Sequence, residues 1–355
     1  MGQTLQDLQR DAGATFIQVG DHTVPEQFGN EAIARDAVQS GVAVCDRSHW
    51  GRIEVGDADR IRFLHNQTTN DFQSLQPGQG CETVFVTSTA RTIDLVSAYV
   101  LADRVLLLTS PGCSDRLMQW MDRYIFFADK VTLADVTTTT LTFSLLGPGS
   151  DRLLTDLGLA AIVGQPRHGH QTLSLGEYPV TVAVGSGLAT PGYTLFASHE
   201  AAPSLWSQMI QAGAVPLGSA LWETLRVEQG RPLPDHELTE DYNPLEAGLW
   251  HAVSFEKGCY IGQETIARLD TYKGVKQQLF GVRLSGAAEP GTPVMQGDNK
   301  IGTLTSVVTT VAGLVGLAYI RTKAGGSGLT VQIGDATGEV VEVPFLTRDR
   351  QKQAN

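Results

Sequence analysis

One short segment, residues 257–264 with the sequence KGCYIGQE, contains the residue types that thiol chemistry needs. A cysteine is a nucleophile only as its thiolate, which a nearby cation or a helix N-terminus stabilises. Lys257 lies two residues before Cys259, and a helix-like pattern begins after Gly262. Cys259 is therefore a candidate reactive thiol. The alternative is a small, buried apolar residue in a turn.

The stretch 225–230, LRVEQG, closes a helix-like pattern that starts near Ser219. Arg226 and Glu228 are two residues apart, so on a helix they point to nearly opposite faces. One of them then serves a ligand and the other the structure. A carboxylate such as Glu228 suits a ligand edge with two adjacent N–H donors. A surface carboxylate or a structural ion pair is the alternative.

Asp94 is a third candidate, because it lies at the start of an otherwise apolar strand pattern. There it caps a turn or faces a cleft. The sequence has no glycine-rich dinucleotide motif, no P-loop and no G-x-S-x-G serine elbow. His168 and His170 could share a metal ion, but their position beside Pro166 and Gly169 favours an exposed loop.

Hydrophobic periodicity predicts the elements that would position these residues. Strands are predicted at 52–55, 83–87, 94–101, 104–109, 141–146, 178–184 and 193–197. Helices are predicted at 57–64, 114–123, 150–157 and 203–212, with Asp57 and Ser114 as caps of the first two. Strands and helices alternate loosely, with hairpins between them, which indicates an α+β fold and not a doubly wound sheet.

Helical patterns stop near residue 277, and short strands predicted at 279–284, 301–308, 314–320 and 329–333 follow, separated by glycine-rich turns. This spacing favours a small barrel or sandwich. We therefore predict one domain at 1–275, with related halves of about 1–140 and 141–275, and a C-terminal domain at 276–347.

Composition limits the class of protein. The 355 residues carry a net charge of -12, which disfavours nonspecific binding to nucleic acid. The four cysteines form no C-x-x-C pair, so we expect reduced thiols in the cytoplasm, or in an organelle if the chain is a processed eukaryotic one. The first ten residues lack the apolar core of a secretory signal, and no apolar run is long enough to span a membrane.

Residues 257–264 resemble the signature K-G-C-[FY]-x-G-Q-E of the YgfZ-type folate-binding proteins, which are relatives of the glycine-cleavage T protein, an aminomethyltransferase. Shorter matches in the same order extend the resemblance over nearly the whole chain. They lie at 146–148 (LGP), 190–193 (TPGY), 225–230 (LRVEQG), 243–249 (NPLEAGL), 301–306 (IGTLTS) and 344–345 (PF).

The resemblance implies a ring of α+β subdomains and a C-terminal β-barrel around a pocket for tetrahydrofolate or another reduced folate. Glu228 matches the carboxylate that grips the pterin, and we also expect Tyr193, Lys257 and Arg226 to bind the folate. Cys259 falls at the cysteine of the signature and becomes the expected reactive group.

The resemblance also implies a function, namely support of iron–sulfur cluster assembly or repair and, through it, of tRNA-modifying and other iron–sulfur enzymes. One alternative is an aminomethyltransferase, with Asp94 as a catalytic residue. The T protein has two adjacent aspartates near this place, whereas here Leu95 follows a single Asp94. A second alternative is a silent folate-binding scaffold.

Overall fold

The computed structural model describes residues 3–350, so Met1 and Gly2, part of the N-terminal stretch discussed above, lie outside it. Within these residues no helix is long and apolar enough to cross a membrane. The chain divides into two compact units. The first contains the described residues up to Phe63 together with Gln73–Cys81 and Val96–Trp222, and the second contains Leu64–Phe72, Glu82–Leu95 and the described residues from Glu223 onward.

Helices and strands alternate along the chain. The helices are α1 (Leu5–Asp11), α2 (Glu31–Ser40), α3 (Arg60–Gln67), α4 (Ser114–Asp122), α5 (Ser150–Asp156), α6 (Ala202–Gln211), α7 (Ser219–Gln229) and α8 (Gln263–Thr271). The strands are β1 (Thr15–Val19), β2 (His22–Gln27), β3 (Ala43–Asp46), β4 (Trp50–Gly56), β5 (Gly80–Val86), β6 (Thr92–Val100), β7 (Arg104–Pro111), β8 (Thr132–Asp135), β9 (Thr140–Leu146), β10 (His170–Leu175), β11 (Tyr178–Val184), β12 (Gly192–Ser198), β13 (Val215–Leu217), β14 (Gln277–Leu284), β15 (Pro293–Gln296), β16 (Asn299–Thr310), β17 (Gly313–Arg321), β18 (Thr330–Ile333) and β19 (Ala336–Val341).

The first unit is built on a six-stranded sheet in the order β10-β11-β12-β9-β3-β13, in which only the β13–β3 pair is parallel. Six of the seven residues of β9 are buried, including the polar Thr142 and Ser144, so both faces of this strand are covered. The core beside it contains Phe143, Leu195, Trp206 and Met209. Strands β4, β7 and β8 and the second half of β6 form further antiparallel pairs in this unit.

Gly192 allows β12 to begin where it does. Its φ is +153°, and a β-carbon there would lie 1.9 Å from the carbonyl oxygen of Leu145 on the paired strand. Only glycine lets the two backbones approach so closely. The predicted folate-binding residue Tyr193 is the next residue of the same strand, so this close approach also sets its position.

The second unit contains a closed six-stranded barrel in the order β14-β17-β16-β15-β18-β19. Its core includes Leu304, Ile320, Val331 and Val340. The predicted C-terminal β domain is therefore a barrel and not a sandwich. The register of β16 shifts between Leu304 and Ser306, as in a β-bulge, which changes the direction of the side chains at this point.

Three local predictions were wrong. Helix α3 begins at Arg60 and not at Asp57, whose φ is +72° and whose carboxylate accepts from the neighbouring Ala58 N–H. In α4, Ser114 is the first helical residue instead of the cap.

The third concerns His170, which is buried at the start of β10 and not in an exposed loop. Its Nε2 lies 3.1 Å from the Val100 carbonyl oxygen. Among residues 3–350, no group of three or more His, Cys, Asp or Glu side chains could hold a metal ion.

The strands and helices predicted from hydrophobic periodicity are present, most of them within three residues of the predicted ends. Short strands such as β13 and β15 were missed because three or four residues are too few to show a period. The boundary between residues 275 and 276 stays a prediction, since the compact units are made of discontinuous segments.

We expect Gly192→Ala to destabilise the protein more than Gly185→Ala. Gly185 also has a positive φ, of +120°, but no atom of the described residues lies within 4 Å of a β-carbon there. Gly185→Ala should cost only the backbone strain, about 1–2 kcal/mol, and Gly192→Ala should add about 1–3 kcal/mol of steric overlap. Chemical denaturation measures both. Equal losses would show that the Leu145 contact does not constrain this strand.

Candidate functional site

Cys259 lies in an irregular segment of the second unit, between the short 3₁₀ turn Trp250–Ala252 and helix α8. Its side chain is exposed, whereas Cys45 and Cys113 are buried and Cys81 is half-buried. The alternative of a small buried residue is therefore wrong. Chemistry at Cys259 requires that its thiol can reach another molecule. An exposed thiol can do this without any unfolding of the core.

Lys257 anchors this segment. Its ammonium is buried and donates to three main-chain carbonyls, those of His65, Thr68 and Asn70. Helix α3 ends at Gln67, so the ammonium satisfies carbonyls at and just beyond a helix C-terminus, where a positive charge is favoured. The ammonium also lies 4.7 Å from the centre of the Tyr260 ring, a cation–π distance.

The residues after Cys259 are tied down as well. Tyr260 packs in an apolar cluster with Leu245, Trp250 and Ile266, and burial raises the pKa of its hydroxyl. The Ile261 N–H donates to the Asn66 carbonyl at 3.0 Å. Together with the Lys257 contacts, these interactions hold the main chain on both sides of Cys259.

Gly262 lets the chain turn into α8. It is the N-cap of the helix, with a φ of +80°. A β-carbon there would lie 3.0 Å from both the Ala90 Cα and the Thr87 carbonyl oxygen. The positive φ and this close approach to residues 87–90 both favour a glycine at position 262. At Gly258 the nearest atom to such a carbon is His65 Nε2, at 3.9 Å, so no steric contact requires a glycine there.

His65 lies beside this segment although 192 residues separate it from Lys257. Its side chain is only 6% exposed, and its Nδ1 lies 3.0 Å from Asp71 Oδ1, without the alignment of a straight hydrogen bond. Burial lowers the pKa of His65, the Lys257 charge lowers it further, and Asp71 opposes both. Sequence reasoning missed this residue, because nothing local marks a histidine at a helix end as the neighbour of a distant cysteine.

Arg226 and Glu228 both lie on α7, where Arg226 is buried and Glu228 is half-buried. Arg226 Nε lies 2.9 Å from Glu223, one terminal nitrogen 2.9 Å from Glu237 and the other 3.0 Å from the Ser306 hydroxyl. Burial disfavours the charged guanidinium, but the Glu237 and Glu223 carboxylates outweigh it and raise the pKa of Arg226. Every nitrogen of Arg226 thus bonds to the protein.

Glu237 was also missed by sequence reasoning, and it is the centre of this network. It is fully buried and accepts from the hydroxyls of Thr305 and Ser306 at 2.7 and 2.6 Å. These two residues lie at the register shift of β16, which presents both hydroxyls to one carboxylate. A buried charge with this many partners is satisfied and is expected to hold α7 against the barrel.

Asp94 and Tyr193 lie in different units. Asp94 is the third residue of β6 and is fully buried, in the second unit. Tyr193 is in the first unit, where its hydroxyl donates to Asp151 at 2.6 Å. Burial and the Asp151 carboxylate raise the pKa of Tyr193. The roles of all six predicted site residues in ligand binding or catalysis stay predictions.

Replacement of Lys257 should destabilise the Cys259 segment. Lys257→Met keeps the apolar stem but leaves buried carbonyls without a donor, at about 1–3 kcal/mol each. We expect a total loss of about 3–5 kcal/mol, the range for breaking one side of a buried charged contact. The control is Lys273→Met, because the Lys273 side chain is 81% exposed and its partner Asp270 keeps a second cation, Arg350. Thermal and chemical denaturation measure the stability of both variants. Equal stability of the two would show that Lys257 does not anchor the segment.

Comparison with known proteins assigns the fold. The family model described as the GCVT N-terminal domain matches residues 5–257, and the CAF17 C-terminal beta-barrel domain matches residues 276–345. The glycine cleavage system aminomethyltransferase T of Bartonella henselae superimposes with a TM-score of 0.84 over 98% of each chain, at 20% identity. It shows the same fold.

Two relatives in sequence also cover nearly the whole chain. The putative transferase At1g60990, chloroplastic, of Arabidopsis thaliana is 47% identical over 95% of this chain and 79% of its own length. An aminomethyltransferase of Halalkalibacterium halodurans is 29% identical over 97% of each chain. The chain thus belongs to the GCVT family and, with its CAF17-type barrel, to the YgfZ/CAF17-type relatives of aminomethyltransferase.

Proposed function

We propose that this protein binds tetrahydrofolate or another reduced folate and supports iron–sulfur cluster assembly or repair, with Cys259 as its reactive thiol. The observation that carries the proposal is the exposed Cys259 in a segment whose main chain is fixed on both sides. The tRNA-modifying and other iron–sulfur enzymes would depend on the protein through this role.

Folate binding is supported by the family and by the chemistry of α7. Glu228 is a half-buried carboxylate, and its two acceptor oxygens match the adjacent N–H donors of a pterin edge. We assign Glu228 to the ligand because its position in LRVEQG matches the pterin-binding carboxylate of the resembling family. Arg226 and Lys257 donate to protein groups in the contacts described above, so we propose that they hold the surrounding chain. Tyr193 remains a proposed contact through its ring.

Cys259 is a single thiol, and this limits the role that we propose for it. A single thiolate cannot hold an iron–sulfur cluster, which normally needs about four. Any contact with a cluster is therefore shared with a partner, either an assembly protein or a client enzyme. Formation of a mixed disulfide or transfer of sulfur needs only one thiolate and an accessible path, and Cys259 has the access.

An aminomethyltransferase is the second candidate, because relatives at 29% and 28% identity carry that name. The residue after Asp94 weakens this reading. Leu95 is apolar and fully buried where the T protein has a second aspartate, so one carboxylate is missing beside the expected reaction centre. A catalytically silent scaffold is the third candidate, and an exposed, fixed cysteine gives it no support.

The compartment and partners follow from the proposed chemistry. Reduced thiols suit the cytoplasm or the interior of an organelle, and the Arabidopsis relative is named chloroplastic. The partners we propose are a folate and iron–sulfur assembly or client proteins. We propose no direct contact with nucleic acid or a membrane.

Glu228→Ala should weaken tetrahydrofolate binding by about 1.5–3 kcal/mol, the value of a hydrogen bond to a charged group. The measurement is a titration that follows quenching of intrinsic fluorescence, with Glu240→Ala as a control at an exposed position. The wild-type protein should bind saturably. No saturable binding at millimolar folate would remove the folate proposal, and an unchanged affinity of Glu228→Ala would show that another carboxylate binds the pterin.

Cys259→Ser should leave stability and folate binding nearly unchanged, because exposed substitutions usually change stability by less than about 0.5 kcal/mol. The variant should nevertheless fail to restore iron–sulfur enzyme activity in cells that lack the protein. Cys81→Ser, at a half-buried cysteine outside residues 257–264, is the control and should restore it. Full rescue by Cys259→Ser would leave the thiol without a function.

A further inference from the structure

We propose that His65 is the base that takes the proton of the Cys259 thiol, and that Asp71 positions and polarises its imidazole. This inference rests on the proposed role of Cys259 as a reactive thiol and adds the group that activates it. It concerns three side chains that lie in the second unit.

The first observation is the state of the imidazole. The His65 side chain is buried, its Nδ1 lies 3.0 Å from a carboxylate, and among residues 3–350 no hydrogen-bond partner meets its Nε2. A carboxylate only accepts, so Asp71 favours the tautomer with its proton on Nδ1. Nε2 then carries a lone pair and is free to accept a proton.

The second observation is where Nε2 points. It is the one atom found within 4 Å of a β-carbon built on Gly258, at 3.9 Å. Gly258 directly precedes Cys259, so the imidazole faces the main chain next to the thiol. Gly258 has no side chain that would cover this edge of the ring. Contacts of a general base commonly tighten when a substrate binds.

The third observation is that charge favours a neutral base. Lys257 and Asp71 are the charged groups that act on the ring, and burial with the Lys257 charge keeps the pKa of His65 below its usual value. The imidazole is therefore neutral near pH 7 and can accept a proton. Lys257 is fixed on main-chain carbonyls, so its charge keeps a constant position beside the imidazole.

The substrate class is a disulfide on a partner molecule. The Cys259 thiol transfers its proton to His65 Nε2, and the resulting thiolate attacks one sulfur of the disulfide. The sulfur–sulfur bond breaks as the new bond forms, and the leaving thiolate takes the proton back from His65. Cys259 is oxidised to a mixed disulfide and the partner is reduced to one thiol, so no further oxidant is needed.

The test is the rate at which Cys259 reacts with 5,5′-dithiobis(2-nitrobenzoate), a small disulfide, as a function of pH. The phase that Cys259→Ser removes identifies the thiol. His65→Asn keeps a donor near Asp71 but lacks Nε2, so its rate at pH 7 should fall by at least about tenfold, as for loss of a general base. Near pH 10 the thiol ionises unaided, and the two rates should converge.

The control is His251→Asn, which changes another histidine of the same unit that lies beside a carboxylate, Glu82, at 3.2 Å. Its rate should match the wild type. An identical rate and pH profile for His65→Asn and the wild type would overturn the proposal. If His65→Asn does not fold, Asp71→Asn serves instead, because Asp71 is partly exposed; it should slow the reaction at pH 7, and an unchanged rate would overturn the proposal equally.

The tetrahydrofolate titration separates this proposal from the proposed function. His65→Asn should bind folate like the wild type, because the change is confined to the thiol and its base. If the wild type does not bind folate, the folate proposal is refuted. The thiol kinetics would then still test the role of His65. A normal titration with an unchanged thiol rate would refute His65 alone.

Discussion

The segment that carries Cys259 depends on one buried ammonium. Lys257 reaches the end of α3 and satisfies three carbonyls there, which fixes a segment that has no regular secondary structure of its own. A lysine that bonds to three carbonyl oxygens is held in one position, and its neighbours in the chain are held with it. The exposure of Cys259 is therefore a property of a rigid segment, which suits a thiol that must meet a partner in a defined geometry.

A buried cation also fixes helix α7. Arg226 is fully engaged by Glu223, Glu237 and Ser306, so this helix is held to the barrel by buried charge as well as by apolar packing. Arg226 and Glu228 are two residues apart on one helix, and their environments differ as the helical geometry requires. A rigid, buried neighbour thus fixes the helix that carries the half-buried carboxylate assigned to the folate.

Much of this could be predicted from the sequence, because the signals are local. Strand β11 was predicted with its observed ends, since the valine-rich stretch Tyr178–Val184 lies between Gly176 and Gly185. The barrel was predicted from short strands and glycine turns, and the turn at Gly262 from its place before a helical pattern. The KGCYIGQE segment led to the family that the comparisons establish.

The parts that could not be predicted depend on residues far apart in the chain. The His65–Lys257 contact spans 192 positions, and the Arg226–Ser306 contact spans 80. No periodicity or spacing links such pairs. Local chemistry also gave a wrong expectation where tertiary packing prevailed, as for His170, which looks like a loop residue beside proline and glycine but is buried at a strand end.

We propose that this member of the GCVT family uses its fold for chemistry at Cys259 and not for aminomethyl transfer. The decisive measurement is formation of methylene-tetrahydrofolate from an aminomethylated carrier protein and tetrahydrofolate, at folate concentrations that saturate the protein. We expect saturable folate binding without turnover. Turnover that Asp94→Asn abolishes and Cys259→Ser leaves intact would contradict it.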